Sequence, residues 1–348
     1  MPKANRTKIT VVSLALLFGV LLVGVLSAAS GQLSVTPLEV LSTILKPLGI
    51  DFGIELENPL AESALWSIRF PRVVMSLLVG AALAAAGLLM QAVFGNPLAE
   101  PGVVGVSSGA ALGASSAIVF GFTFLGEWTV PAMAFLTALL TTILVYFFSR
   151  SSGKTEVVTL LLTGIAVNAF AGAALAFLTF FGDTQAREQI VFWQLGSLNG
   201  SRWTQVAIVL PCVVIGLLLA FMLVRKLDIL SLGEKSARHL GVNVEALRIT
   251  VIVLVALLVA SAVAFAGIVA FIGLVIPHLM RMLLGPSHLP LLISSTLGGA
   301  LLLMIADLVA RTAVPHSDLP IGMLTALVGG PFFFWLLSRT RKQSGGWR

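Results

Sequence analysis

Ten nearly unbroken apolar runs, each close to the length of helix that crosses a bilayer, restrict this chain to very few folds. They lie near 10–28, 71–94, 103–121, 129–149, 157–181, 204–224, 249–266, 268–284, 289–313 and 320–338. About 20 residues of helix span the hydrocarbon core, and runs of this length without strand-like alternation read as helices. Hydrophobic residues make up 58% of the chain and charged residues 10%, against roughly 45–50% and 25% in soluble domains. Lipid is therefore the solvent for most of the surface. The expectation is an all-α integral membrane protein with about ten transmembrane helices, a single transmembrane domain over residues 1–348, and no room for an internal ATPase or nuclease domain.

Between 249 and 284 the pattern allows one long tilted helix or two helices with a tight turn near Ala264 to Gly267. Charge decides between them. With ten passes and the N-terminus inside, the inner loops hold 15 of the 21 basic residues, from Lys3, Arg6 and Lys8 through Arg281 to Arg348. Ten acidic residues, Asp51, Glu55, Glu57 and Asp307 among them, fall outside. Nine passes would turn Arg281 and the basic C-terminal tail outward, against the positive-inside bias. Both termini are expected in the cytoplasm and the chain in the cell membrane. The net charge of +6 then reflects topology, not nucleic-acid binding. The first run follows three basic residues as a signal peptide would, but it lacks an Ala-x-Ala site and is long enough to span, so it reads as a retained helix.

Chemistry of its own is not expected of the chain. Cys212 is the only cysteine, and His239, His278, His288 and His316 have no metal-binding spacing. No glycine-rich phosphate loop is present. Asp307 is the main acidic residue within the helices, whereas a proton-coupled carrier usually carries several. An ion-coupled carrier working alone is the competing class.

Four segments stand out. Arg69-Phe70-Pro71-Arg72 puts two cations at the outer start of a helix, on the face that is otherwise acidic. Guanidinium forks suit carboxylate partners, and snorkelling to lipid phosphates is the other reading. Arg311 reads the same way. Asn96-Pro97-Leu98-Ala99-Glu100-Pro101-Gly102, followed by Ser107-Ser108-Gly109, makes a rigid inner turn, either plain or part of a gate. The inner loop 225–248 carries a short helix with Glu234 and Arg238 one turn apart, ended by Leu240-Gly241; it reads as a solvated loop or as a grip for another protein. Gly273 to His278 contains Pro277, which kinks a helix or frees a carbonyl. Glycine and alanine at 80–87 and 105–113 foretell close helix packing. The outer segment 31–66 reads as lying on the membrane surface.

Together these segments resemble the FecCD family, permease subunits of ABC importers for iron-siderophores, heme and vitamin B12. The resemblance runs from about residue 60 to 338 and includes Leu232 to Gly241, Phe271 to His278 and Asp318-Leu319-Pro320-Ile321-Gly322. It implies a type II importer architecture, homodimeric, with two cytoplasmic ABC ATPase subunits that use the ATP and an extracytoplasmic binding protein. It implies that Arg69, Arg72 and Arg311 dock that protein. Gly233, Glu234, Ala237, Arg238, Leu240 and Gly241 would couple to the ATPase. Asn96, Pro97 and Leu98 would close the inner gate together with the stretch Thr155 to Thr159, which here holds the apolar Val157 and Val158. The outer stretch Asp183 to Trp203, with Arg187, Phe192-Trp193 and Gly196-Ser197-Leu198, is similar to heme-type permeases. Heme is the expected cargo, with siderophore or cobalamin as alternatives, and no permanently bound cofactor or metal is expected.

Overall fold

The computed structural model describes residues 6–50, 53–54, 58–151, 154–315 and 317–343. Lys3, Asp51, Glu55, Glu57, His316 and Arg348, which the sequence reading used, lie outside the described residues, as does the side chain of Thr155. The chain is helical almost throughout: α1 (Arg6–Ala29), α2 (Pro37–Leu45), α3 (Ala61–Ala64), α4 (Phe70–Phe94), α5 (Val106–Val119), α6 (Thr129–Phe148), α7 (Val157–Phe181), α8 (Thr184–Leu195), α9 (Trp203–Leu230), α10 (Glu234–His239), α11 (Val244–Ala266), α12 (Ile272–Leu284), α13 (His288–Thr312) and α14 (Ile321–Gln343). A two-residue hairpin, β1 (Arg150–Ser151) with β2 (Lys154–Thr155), joins α6 to α7.

Each of the ten apolar runs is answered by a helix. Seven are long and apolar enough to cross a membrane; Val106–Val119, Ile272–Leu284 and the apolar part of α14, Ile321–Phe334, are shorter. The chain between 249 and 284 forms two helices, and the break falls at Gly267–Phe271, a little later than the turn expected near Ala264 to Gly267.

Two boundaries differ from the sequence reading. The helix expected to start at Pro71 begins at Ala61, because α3 and α4 are joined by a π-helical turn, Leu65–Arg69. The Phe70 N–H reaches back to the Leu65 carbonyl. That wider turn lets the helix continue into a proline that has no N–H to give. The loop expected over 225–248 is shorter, since α9 runs on to Leu230 and α11 starts at Val244. Local caps explain two starts that hydropathy does not mark. Thr36 and Glu39 form a reciprocal capping box on α2, and the Asn243 side chain accepts from Ala246 N at 3.0 Å at the start of α11.

Helix α4 is the buried axis of the molecule, packed against α13, α11, α12 and α9. Its glycines explain how helices approach so closely without a hydrophobic driving force between them. A methyl group on Gly87 would overlap the Gly273 carbonyl of α12, and one on Gly80 would overlap the Gly299 carbonyl of α13. Gly109 and Gly113 of α5 meet Thr141 and Thr137 of α6 in the same way. The outer faces of α7 and α9 carry exposed Phe, Leu and Ile side chains, as a lipid-solvated surface requires.

Candidate functional site

Helix α9 separates two ends of the bundle, one bearing α8 and the other α10, and the candidate functional residues fall at these ends.

At the α8 end the three arginines singled out by the sequence converge, but not as exposed cations. Arg69 Nη1 donates to the carbonyls of Ala28 and Ala29 at 2.8 and 3.0 Å, and Nη2 to Leu33. Arg72 Nε sits 2.9 Å from Asp307 Oδ1, and its Nη1 sits 2.8 Å from Asp318 Oδ2. Arg311 approaches the other Asp307 oxygen at 3.5 Å and donates to the carbonyls of Ser30 and Ser27. Arg69 and Arg72 are buried, and Asp307 is wholly so. The sequence reading placed these cations at the outer start of a helix without internal partners; the structure gives each of them partners within the chain. The π turn extends the helix beyond them, and carbonyls at the end of α1 and the Asp318 carboxylate ahead of α14 accept from them. Asp318, with a side chain 32% exposed, is the member of the cluster most open to solvent.

Helix α8, which hydropathy did not mark, starts on the Asp183 side chain, which accepts from Ala186 N at 2.7 Å. Arg187 donates to the carbonyls of Phe180 and Gly182 at the end of α7. Past α8, Gly196, Gly267 and Gly322 meet: Ser197 N donates to Ala266 O at 2.9 Å and Ile321 N to Gly196 O at 3.0 Å. A Cβ on any of the three would run into backbone carbonyls of the others' segments.

Between the two ends, the loop following α4 folds back against the broken junction of α11 and α12. Phe271 is the one non-glycine residue with positive φ (67°) among the described residues, and it caps α12. Its N–H donates to the Glu100 carboxylate. Burial pushes the Glu100 carboxyl up from its ordinary range, and this hydrogen bond partly opposes the rise. Pro277, inside α12, removes the N–H that Gly273 O would accept. Gln91 of α4 reaches that region, with Nε2 3.2 Å from Leu274 O and 3.5 Å from Gly273 O.

At the α10 end, Asn96 makes an Asx turn, its Oδ1 accepting from Leu98 N at 2.9 Å. Asn168 of α7 ties this connection from the side, donating to Gly102 O at 3.2 Å while Ser108 donates to its Oδ1. Pro97 and Val157 line one cavity together with Gly233 and Glu234, so the turn, the start of α7 and the start of α10 share a wall. Val158 points outward, while Asn96 is exposed and Leu98 half-buried.

Helix α10 ends in a Schellman motif, with Gly241 N to Arg238 O and Val242 N to Ala237 O both at 3.0 Å. Glu234 and Arg238 approach only to 3.5 Å; the closer partner of Glu234 is the buried Arg248 of α11. Ala237 faces the core, whereas Leu240 is 61% exposed and Leu232 also projects outward. The result is a small helix anchored from beneath, with leucines at its two ends and charge between.

The sequence reading named neither Gln91, Arg248, His288 nor Asp228 as functional. Their signal was present as polar residues at the ends of apolar runs, but only the fold pairs them.

With this geometry in place the relatives are informative. Residues 17–339 match the FecCD transport family. The hemin transport system permease protein HmuU of Yersinia pestis is 42% identical over 302 residues, 84% of this chain and 89% of that protein. The cobalamin import system permease protein BtuC of Halobacterium salinarum is 39% identical over 296 residues, 85% of this chain and 78% of that protein. A solved metal-chelate type ABC transporter in an inward-facing conformation superposes with a TM-score of 0.82 at 33% identity, covering 94% of this chain and 98% of that one. The chain belongs to the FecCD transport family and is an ABC importer permease, a non-catalytic membrane subunit.

Proposed function

We propose that the chain forms the translocation path of an ATP-driven heme importer. Two copies of the chain enclose the path in the cell membrane. Two cytoplasmic ATPase subunits grip α10, and an extracytoplasmic binding protein delivers heme at the α8 end. The observation that carries the cargo is the 42% identity to the hemin permease over most of both chains. The 39% identity to a cobalamin permease keeps cobalamin as a second reading, and a ferric siderophore is the third.

The excess of Lys and Arg in loops at the α10 end supports a cytoplasmic location for that end and for both termini. The exposed Leu240 and Leu232 flanking a charged turn support coupling through Gly233 to Gly241. The shared wall of Pro97 and Val157 supports an inner gate built from Asn96, Pro97, Leu98, Val157 and Val158. For docking, a partner's carboxylate must compete with Asp307 and Asp318 at Arg72, with Asp307 at Arg311, and with backbone carbonyls at Arg69. Asp318 is the one at the rim.

The test is ATPase stimulation and uptake by the reconstituted complex, with the binding protein loaded in turn with heme, a ferric siderophore or cobalamin. Heme alone should give both stimulation and uptake. Uptake of cobalamin or siderophore with no response to heme would overturn the cargo assignment.

A further inference from the structure

A cavity of about 430 Å³ opens at the α10 end, and three polar groups on its wall have no use in the coupling or gating roles above. Arg281, near the end of α12, buries Nε and Nη2 with no partner among the described residues. His288 is 2% exposed; its Nδ1 meets Asp228 at 2.7 Å, and its buried Nε2 has no partner. Gln91 is 2% exposed, and while Nε2 donates into α12, Oε1 has no partner. The carboxylate on the same wall, Glu234, is held by Arg248 and Arg238. Asp228 is held by the ring and backbone N–H of His288. Neither is paired with Arg281. Arg281 is half-buried, and hiding two of its three guanidinium nitrogens from water with no counter-charge is costly; its planar fork fits two oxygens of one oxyanion.

We propose that this cavity binds a phosphate group carrying a proton. Nε and Nη2 of Arg281 donate to two phosphate oxygens, and the P–OH donates to Gln91 Oε1, with His288 Nε2 as the neighbouring contact. A chloride ion would leave Gln91 without a donor, and a lipid phosphodiester has no proton to offer it. Inorganic phosphate and the headgroup of phosphatidic acid both have the required chemistry. The ligand sits where the gate turn, at Gly95 and Pro97, meets α10 at Gly233 and Glu234, independently of which cargo is carried.

The experiment uses the full chain in nanodiscs, with thermal unfolding followed by tryptophan fluorescence. In phosphatidylcholine discs, inorganic phosphate is titrated against chloride at matched ionic strength; in a second arm, discs contain phosphatidic acid without free phosphate. Stabilisation by phosphate beyond chloride supports the site with a free anion, and stabilisation only in the second arm supports it with the lipid as source. Arg281→Gln should raise the half-effective phosphate concentration about tenfold, and Arg281→Lys should fall between. Should Arg281→Gln fail to fold, the wild-type titration and Arg281→Lys still decide. The proposal falls if phosphate does no more than chloride in both arms, or if Arg281→Gln responds like wild type. It also falls if stabilisation appears only when ATPase subunits are added, which would mark a protein carboxylate as the occupant.

Discussion

Arg72 and Asp307, 235 positions apart in sequence, form a buried ion pair with Nε 2.9 Å from Oδ1. Breaking such a pair from one side strands a charge and costs about 3–5 kcal/mol, whereas replacing both partners with apolar groups of similar volume is often neutral. Asp307→Asn should lower the unfolding temperature of the detergent-solubilised permease sharply. Arg72→Met combined with Asp307→Leu should recover most of the loss. Equal damage from the single and paired changes would show that the pair does not hold α4 to α13.

Asp318 holds the outward nitrogen of the same arginine at 2.8 Å. If a binding protein docks by offering Arg72 a carboxylate, Asp318→Asn should tighten docking and Arg72→Glu should weaken it, both more strongly at low salt. Titration of labelled binding protein onto nanodisc-embedded permease measures this. No change in either variant removes the docking role.

Leu240 is exposed at the end of α10 while Ala237 anchors the helix beneath. Leu240→Asp should leave folding intact and cut coupled uptake by about tenfold or more, as expected for a central apolar contact. ATP hydrolysis should persist without transport. Uptake and hydrolysis that stay in normal proportion would exclude α10 as the coupling element.

Glu100 is held above its ordinary carboxyl range by burial. A carboxyl raised in the folded state contributes stability that is full below its unfolded value and is lost as pH rises through the raised one. Wild-type permease should therefore lose stability with rising pH in this window. Glu100→Gln, which can still accept from Phe271 N–H, should flatten the loss. Melting curves taken from roughly pH 4 to 8 decide; identical slopes for the two proteins would exclude Glu100 as the source.

Gly87 has no space for a side chain against the Gly273 carbonyl. Gly87→Val should destabilise by about 1–3 kcal/mol or more through overpacking, read as a lower unfolding temperature. The same change at Gly172, where nothing approaches, should be nearly silent. If the two variants melt alike, the contact between α4 and α12 is looser than described.

The membrane helices were legible because their signal is local: apolar runs of spanning length need no partner to be recognised. Helix α8 was not, since it has only an aspartate cap and mixed polarity. The arginines at 69, 72 and 311 stand out in the sequence, but their internal partners do not, because a sequence marks a charge without marking what covers it. Asp307 and Asp318 lie more than 200 residues from Arg72, and only the packing of α13 on α4 reveals that they are its partners. Pro277 announced an orphaned carbonyl, yet nothing local pointed to Gln91 as the donor that reaches that stretch of α12.

The meeting of Gly196, Gly267 and Gly322 has a practical side for genetics. These residues belong to three stretches widely separated along the gene, yet they form one joint of backbone against backbone. Damage scattered over the three stretches should therefore fall into a single phenotypic class, and a defect at one should be relieved by changes at another before anything nearby in sequence can help.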